Sequence, residues 1–283
     1  MEQSLLIADS GSSKTDWIYV SADNGTLEIH TAGINPVRDS QCAIALVLRE
    51  QLLPALPRPA KVSGIRFYGA GCIPPYSATV ADALAALFPQ ATLWVESDLL
   101  GAARALCGHE PGIACILGTG SNSCLYDGTR IVAHTPPLGY VLGDEGSGAV
   151  LGRNFLSDLY KGLLPTGWVT ELEEEYQLTM ATVIDHVYRQ PQPNRFLASL
   201  VPFIARHVSN PLLHDRLMQH FRLFLQRNVA AYGHRHLPVH CVGGIAHQFA
   251  PQLHEAMAQE GFLAGKTMLR PISSLAIFHS DCN

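Results

Sequence analysis

One short pattern occurs twice in this chain, 109 residues apart. An apolar run at 5–8 enters a small polar loop containing Gly11 and leaves through a second apolar run at 17–20. A like run at 113–117 enters Gly118-Thr119-Gly120-Ser121-Asn122 and leaves through 123–126. Turn residues then precede a third strand in each copy: Asp23-Asn24-Gly25 before 26–30, and Asp127-Gly128 before 131–133. Each copy reads as an opening antiparallel meander. A repeat at this spacing argues for two related domains rather than a solenoid. The length agrees: 283 residues is about two domains at roughly 150 residues each.

Further strands are expected at 65–68, 92–95 and 238–242. Helices are expected at 39–53, capped by Asp39 or Ser40, and at 77–88, 179–189, 195–208, 212–232 and 247–260. The segment 268–283 reads as a C-terminal helix that returns to the first domain. The expected domains are 1–108 rejoined by 268–283, and 109–267, in an α/β fold.

Hydrophobic residues make up 47% of the chain, enough for two cores, and charged residues only 15%, against about 25% in a typical protein. That balance excludes intrinsic disorder. It also suggests surface buried in an oligomer, for which a homodimer is the expectation. A net charge of −5 does not suit tracking a phosphate backbone, so no nucleic-acid partner is expected. No stretch approaches the roughly 20 apolar residues of a membrane helix, so no membrane partner is expected. The first nine residues lack a cationic region and meet Asp9 at once. A secretory signal is therefore not expected, and a cytoplasmic location is. Seven cysteines without a CxxC pair read as reduced thiols.

Five segments carry chemistry. In 9-DSGSSKTD-16, Gly11 lets backbone amides approach a phosphate. Ser12, Ser13 and Thr15 add hydroxyls and Lys14 a positive charge, while Asp9 could hold Mg²⁺ directly or through water. The loop is no Walker A motif, because GxxxxGK[ST] is missing and a strand follows it. In 118-GTGSNS-123, Gly118, Thr119, Gly120 and Ser121 again suit a phosphate. Taken alone, either loop could be an ordinary turn; as a repeated pair they suggest a clasp on a nucleotide. In 94-WVESDLLGAARALCG-108, a strand runs straight into a helix with Asp98 in its first turn. A carboxylate there can accept a proton from an attacking hydroxyl, and Ser97 and Asp98 could also simply cap the helix. The helix N-terminus should favour the ionised form of Asp98. In 139-GYVLGDEGSGAVLG-152, glycines flank Asp144 and Glu145 and leave room for a ligand; acids at a helix N-terminus are the alternative. In 241-CVGGIAHQF-249, Gly243 and Gly244 permit a flat ring against the backbone, or a close helix turn.

In this order and spacing, the segments resemble the sugar kinase/Hsp70/actin ATPase superfamily. GTGSN at 118–122 and the GDEGS core within 139–152 are most similar to its N-acetylglucosamine kinase and BadF/BadG/BcrA/BcrD ATPase branch. The resemblance implies two ribonuclease-H-like domains closing on ATP and a hydroxylated substrate, with Asp98 as catalytic base. Gly11 to Thr15 and Gly118 to Ser121 would meet the phosphates, Gly243 and Gly244 the adenosine, and Asp9 the Mg²⁺. Asn35, Asn122, Gly143, Asp144, Glu145 and Gly148 would meet an N-acetylated amino sugar. The implied reaction is phosphorylation of N-acetylglucosamine at its 6-hydroxyl, with N-acetylmuramic acid or another hexose as alternatives. Two departures bear on the sugar: Val37 replaces a tryptophan of the mammalian-type kinases, and Pro137-Leu138-Gly139 replaces their GWG run.

A BadF-type activator would need two exposed cysteines per subunit for a shared [4Fe–4S] cluster, and Cys107, Cys115 and Cys124 are not obviously placed for one. A nucleotide sensor fused to a DNA reader would need a basic helix-turn-helix, for which no segment leaves room. His234, His236 and His240 read as a surface loop rather than a metal site. Glu171, Glu173, Glu174 and Glu175 read as a solvated helix face, and 188–195 as a plain loop.

Overall fold

The computed structural model describes residues 4–11, 13–21 and 25–280. Ser12, the Asp23-Asn24 turn and Cys282 lie outside the described residues. The chain divides into two compact units. One holds the residues up to Glu110, with Gly128–Arg130 and Arg270 onward; the other holds Pro111–Asp127 and Ile131–Leu269.

The first unit opens with β1 (Ser4–Ser10), β2 (Lys14–Ser21) and β3 (Gly25–Ala32), antiparallel in succession. Helix α1 (Gln41–Val47) leads to β4 (Val62–Gly69), α2 (Ser77–Leu87), β5 (Thr92–Ser97) and α3 (Asp98–Cys107). The sheet order is β3-β2-β1-β4-β5, with β4 parallel to both its neighbours. Central β1 is buried along most of its length, as a strand covered on both faces must be. Edge strand β5 alternates between exposed and partly buried residues.

The second unit repeats this plan. β6 (Gly112–Leu117), β7 (Ser121–Tyr126) and β8 (Ile131–Thr135) form the meander. A long helical stretch comes next: α4 (Gly139–Leu142), α5 (Gly148–Tyr160), α6 (Gly167–Tyr176), α7 (Met180–Tyr188), α8 (Pro193–Ala198), α9 (Val201–Arg206) and α10 (Pro211–Phe224). Then come β9 (Pro238–Val242), α11 (Gly244–Gln248), α12 (Ala250–Gln259) and β10 (Leu263–Met268). The order β10-β9-β6-β7-β8 is that of the first sheet strand for strand, including the parallel β6–β9 and β9–β10 pairs. Finally α13 (Ile272–Ser280) packs on α3, β1 and β2 of the first unit, where His279 Nε2 lies 2.8 Å from Tyr68 Oη.

Several sequence expectations need correction. The expected helix 195–208 is two helices, because Pro202 near the start of α9 cannot donate into a continuous ladder. The expected helix 212–232 widens into a π turn at Leu225–Val229 and ends in a 3₁₀ turn at Ala230–Tyr232. Helix 39–53 does the same at Leu48–Leu52. Ser40, not Asp39, caps α1, its side chain accepting from the Ala43 amide. Pro193 opens α8, so part of the expected loop 188–195 is helical. Strand β10 and helices α5 and α6 were not expected. The glutamates of α6 do lie on a solvated face, where Glu175 meets Arg206 at 2.7 Å.

Two aromatic-rich cores form. One gathers Trp17, Tyr19, Phe67 and Leu84; the other gathers Phe155, Phe203, Phe221, Phe224 and Phe249. Helices α5 and α8 cross so closely that a Cβ on Gly152 would run into the Leu197 carbonyl. Gly152→Ala should therefore lower stability by about 1–3 kcal/mol, read as a shift in the urea midpoint of the intact chain. An unchanged midpoint would mean that this crossing is looser than described.

Candidate active site

In the first unit the β1–β2 hairpin closes with the Gly11 amide donating to the Lys14 carbonyl at 3.0 Å. Buried Ser10 ties the end of β1 to the segment after β3. Its hydroxyl accepts from the Ile34 amide at 3.1 Å and lies 2.7 Å from Thr15 Oγ1. This fixes neighbouring Asn35, whose amide donates to Asp39 Oδ2 at 2.8 Å and whose Oδ1 accepts from the Val37 amide at 3.1 Å. Gly71, at φ 77°, lies so close that a Cβ there would strike Asn35 Oδ1.

Thr15 corrects one expectation. Its hydroxyl is fully buried and spent on Ser10 and the Ala32 carbonyl, so it is not placed to meet a phosphate. Ser13 and Lys14 are exposed. The Lys14 ammonium meets Asp16 at 3.0 Å, and Asp16 also takes His30 at 2.8 Å and Arg270 at 4.0 Å.

Asp98 occupies the first position of α3. Ser97 caps the helix by accepting from the Leu100 amide at 3.2 Å, and Asp98 Oδ1 accepts from the Leu99 amide at 2.9 Å. The capping alternative is what the structure shows: Ser97 is the cap and Asp98 occupies the first turn. Its ionisation differs from expectation. Burial pushes the Asp98 carboxyl up to about 6, outweighing the backbone hydrogen bonds that favour the anion. Asp9 is pushed further, to about 7, first by burial and then by the charges of Asp98 and Asp16, with only Lys14 opposing. Neither Asp9 nor Asp98 forms an ion pair among the described residues. Two half-buried, desolvated carboxylates, with the Asp98 charge acting on Asp9, are a donor set suited to Mg²⁺, which keeps several waters and takes one or two carboxylates. Nearby Cys72 is pushed up to about 12 by burial and by Asp98, leaving an inert thiol.

In the second unit the β6–β7 hairpin closes with the Gly118 amide donating to the Gly120 carbonyl at 2.9 Å. The Gly118 and Thr119 carbonyls accept from the Gly148 and Ala149 amides of α5 at 2.8 and 3.1 Å. In a trans peptide the next amide points opposite to the carbonyl. The Thr119 and Gly120 amides are therefore directed away from α5, two adjacent donors of the kind that receive phosphate. The Gly148 amide is committed to this contact, and the Gly143 amide to the Gly139 carbonyl at 2.7 Å.

Asp144 has φ 54°, and the Ser147 amide donates to its carbonyl at 3.0 Å. Its carboxylate accepts from the Ser121 and Gly139 amides, yet burial and neighbouring Glu145 push it up to about 6. A Cβ on Gly120 would lie 3.0 Å from Asp144 Oδ2, so glycine permits this approach. Hairpin and acidic turn thus come together. Glu145 faces other partners: Arg227 at 2.8 Å and Asn228 at 3.3 Å hold its carboxyl below the usual range. Asn122 Oδ1 accepts from the Ser123 amide at 3.0 Å and lies 2.8 Å from His134 Nε2. Gly243, at φ 122°, brings the end of β9 against the Leu117 carbonyl, and Gly244 opens α11 with free space beside it.

Sequence reasoning missed Ser10, Gly71, Asp16, Arg227 and Asn228. Asp16 was legible as an acid at the start of a buried strand; the others act through contacts distant in sequence. His240 also corrects an expectation. It is buried in β9, with Nδ1 accepting from the Lys266 amide at 2.8 Å, while His234 and His236 are exposed. Among the described residues no group of three or more His, Cys, Asp or Glu is arranged to hold a metal, and no helix is long and apolar enough to cross a membrane.

No family model and no curated protein matches the chain. Solved structures do. The structure of a "Putative N-acetylglucosamine Kinase" from Porphyromonas gingivalis is 44% identical, covers 98% of this chain and 99% of its own, and superposes with a TM-score of 0.95. A like-named protein of Chromobacterium violaceum is 18% identical over 98% of both chains, with a TM-score of 0.62. A ROK family glucokinase from Streptomyces griseus, in complex with glucose and AMPPNP, is 13% identical over 99% and 98%, with a TM-score of 0.57. The last two share the fold.

Burial of Asp98 has a thermodynamic sign. Its folded pKa of about 6 exceeds the unfolded value, so the native state is penalised wherever the carboxyl is ionised, and relieved as pH falls through 6 towards 4. Asp98→Asn should raise metal-free stability at pH 8 by up to about 3 kcal/mol. The gain should vanish near pH 4. Calorimetry across that range checks it; a loss at pH 8 would show that the site is not enclosed as described.

Proposed function

The chain belongs to the N-acetylglucosamine kinase family of sugar kinases with the actin-like ATPase fold, and from that premise we propose that it transfers the γ-phosphoryl group of Mg-ATP to an N-acetylated amino sugar, N-acetylglucosamine at its 6-hydroxyl. The observation that carries this reading is Asp98, fixed at the start of α3 by the Leu99 amide and by the Ser97 cap. Its pKa near 6 leaves it ionised at neutral pH and more basic than an ordinary carboxylate. It can orient a sugar hydroxyl and take its proton as the new phosphate bond forms.

Asp9 and Asp98 fit a magnesium ion by charge, and Mg²⁺ when bound would neutralise phosphate charge. Asp9 would carry the ion directly or through water. The Gly11 turn and the paired amides of Thr119 and Gly120 would receive the phosphate oxygens, and Gly243 and Gly244 the adenosine. Asp144 and Asn35 would accept and donate to the sugar. Asp144 is already aimed by the Ser121 and Gly139 amides, so little ordering remains to oppose binding. Glu145, held by Arg227 and Asn228, would shape the turn rather than touch sugar first. Val37 is 56% exposed beside Asn35, where mammalian-type kinases place a tryptophan, so the sugar would meet less aromatic surface here.

The activator alternative finds no support in cysteine placement: Cys107, Cys115 and Cys124 are all buried. A panel of plain and N-acetylated hexoses assayed for ADP release, with the product position read by NMR, tests the reading. ADP release independent of every sugar would overturn it. Asp98→Asn and Asp98→Ala should each lower kcat by at least about a hundredfold with nucleotide binding retained. The kcat/KM of the wild type should fall on the acid side below roughly 7, first as Asp9 and then, below roughly 6, as Asp98 gains its proton. Asp144→Ala should raise the KM for sugar by more than about tenfold, with the KM for ATP nearly constant; equal losses would remove its sugar-selective role.

A further inference from the structure

The second unit holds a cavity of about 600 Å³ whose wall includes Gly143 and Glu145 of the acidic turn together with Arg153, Arg216, Arg222, Arg227 and His220. That volume falls within the range of small-molecule sites. Four arginines face two carboxylates in this wall, those of Glu145 and Asp158. Arg216 meets Asp158 at 2.9 Å and Arg227 meets Glu145 at 2.8 Å, while Arg222 meets Glu260 at 2.7 Å. Arg153 has no carboxylate partner among the described residues; it donates to the Tyr140 carbonyl and, at 3.4 Å, to Asn154 Oδ1.

His220 stands behind this wall, its ring hydrogen-bonded to the backbone of Gly146 and Ser147. It is buried, and its Nε2 has no hydrogen-bond partner among the described residues. Burial, then the charge of Arg153, push it down to about 4, so the ring is neutral at pH 7. With three of the four guanidiniums paired, Arg153 leaves the wall one positive charge in excess, which attracts anions, and guanidinium forks match the oxygens of phosphate. The carboxamides of Gln219 and Gln226 in the same wall suit hydroxyl groups.

The cavity also reaches the chemistry. Arg227 lies on the π turn that breaks the end of α10, an irregularity often found at functional sites. It is the residue that pins Glu145, next to Asp144. We propose that this cavity binds a phosphorylated sugar, the class of molecule the reaction makes, and that the bound phosphate draws Arg227 from Glu145 and loosens the turn carrying Asp144. The choice of a sugar as the body of the ligand rests on the kinase reading; the anion site does not.

Calorimetric titration of the intact chain with N-acetylglucosamine 6-phosphate, and separately with inorganic phosphate, tests this in the wild type and in Arg153→Gln and Arg216→Gln. Both side chains are exposed, so the variants should fold. Each variant should weaken phosphosugar binding at least tenfold, with inorganic phosphate binding more weakly than the phosphosugar throughout. Added phosphosugar should raise the KM for sugar in the wild type beyond simple competition and lose that excess in Arg216→Gln, whose own KM values stay within twofold of wild type. Identical isotherms in all three proteins would overturn the site. Inorganic phosphate binding as tightly as the phosphosugar would overturn the ligand class. A chain that phosphorylates no sugar, yet loses phosphosugar binding in both variants, would keep this cavity and remove the kinase reading.

Discussion

The desolvation of Asp9 and Asp98 inside the first unit is the constraint around which that half is organised. Two half-buried, desolvated carboxylates lacking ion pairs are costly, and the cost is visible in pKa values of about 7 and about 6. A fold tolerates this only where the rest of the unit is firm. Here β1 is buried in mid-sheet, Ser10 bonds to the Ile34 amide, and α13 covers α3. Asp16 shows the contrast: another carboxylate, and a buried one, it is met by Lys14, His30 and Arg270. The structure pairs the acid that supports the hairpin and leaves Asp9 and Asp98, the two proposed to meet a cation and a substrate proton, without ion pairs among the described residues.

The second unit solves a different problem with the same sheet. Its hairpin gives two carbonyls to the first turn of α5. That contact satisfies two of the orphan amides at a helix N-terminus and turns the hairpin's own amides outward. One interaction therefore caps a helix and builds an anion cradle. The Gly120 position, kept free of a Cβ, lets Asp144 approach the same hairpin.

Much of this was legible in sequence because it rests on local chemistry. The duplicated strand–glycine–strand pattern marked both hairpins, and the strand-to-helix junction at Ser97-Asp98 marked the cap and the acid. Features made by long-range packing were not legible. Nothing local announces that Thr15 turns its hydroxyl inward to Ser10 and Ala32, or that Arg227 crosses 82 positions to reach Glu145. The ionisation of Asp98 was misjudged for the same reason. The helix N-terminus is a local feature, whereas desolvation is set by everything packed around it, and desolvation is the larger effect. The helix breaks at Pro202 and the π turns at Leu48 and Leu225 escaped because apolar periodicity runs through them.

The two units differ chiefly in the segment that joins the meander to the parallel strands. After β3 the first unit has α1 and three short turns before β4, whereas after β8 the second has seven α-helices before β9. That insertion supplies α5 beneath the hairpin, the acidic turn before it, and α10 with the π turn that holds Glu145. A duplicated sheet alone offers two equivalent hairpins and nothing to tell them apart. Because the helical insertion is attached to one copy, it makes the copies different: desolvated carboxylates in the first, and outward hairpin amides beside an oriented acid in the second. The arginine-lined cavity is built from the same insertion, so any ligand bound there acts first on the half that carries Asp144.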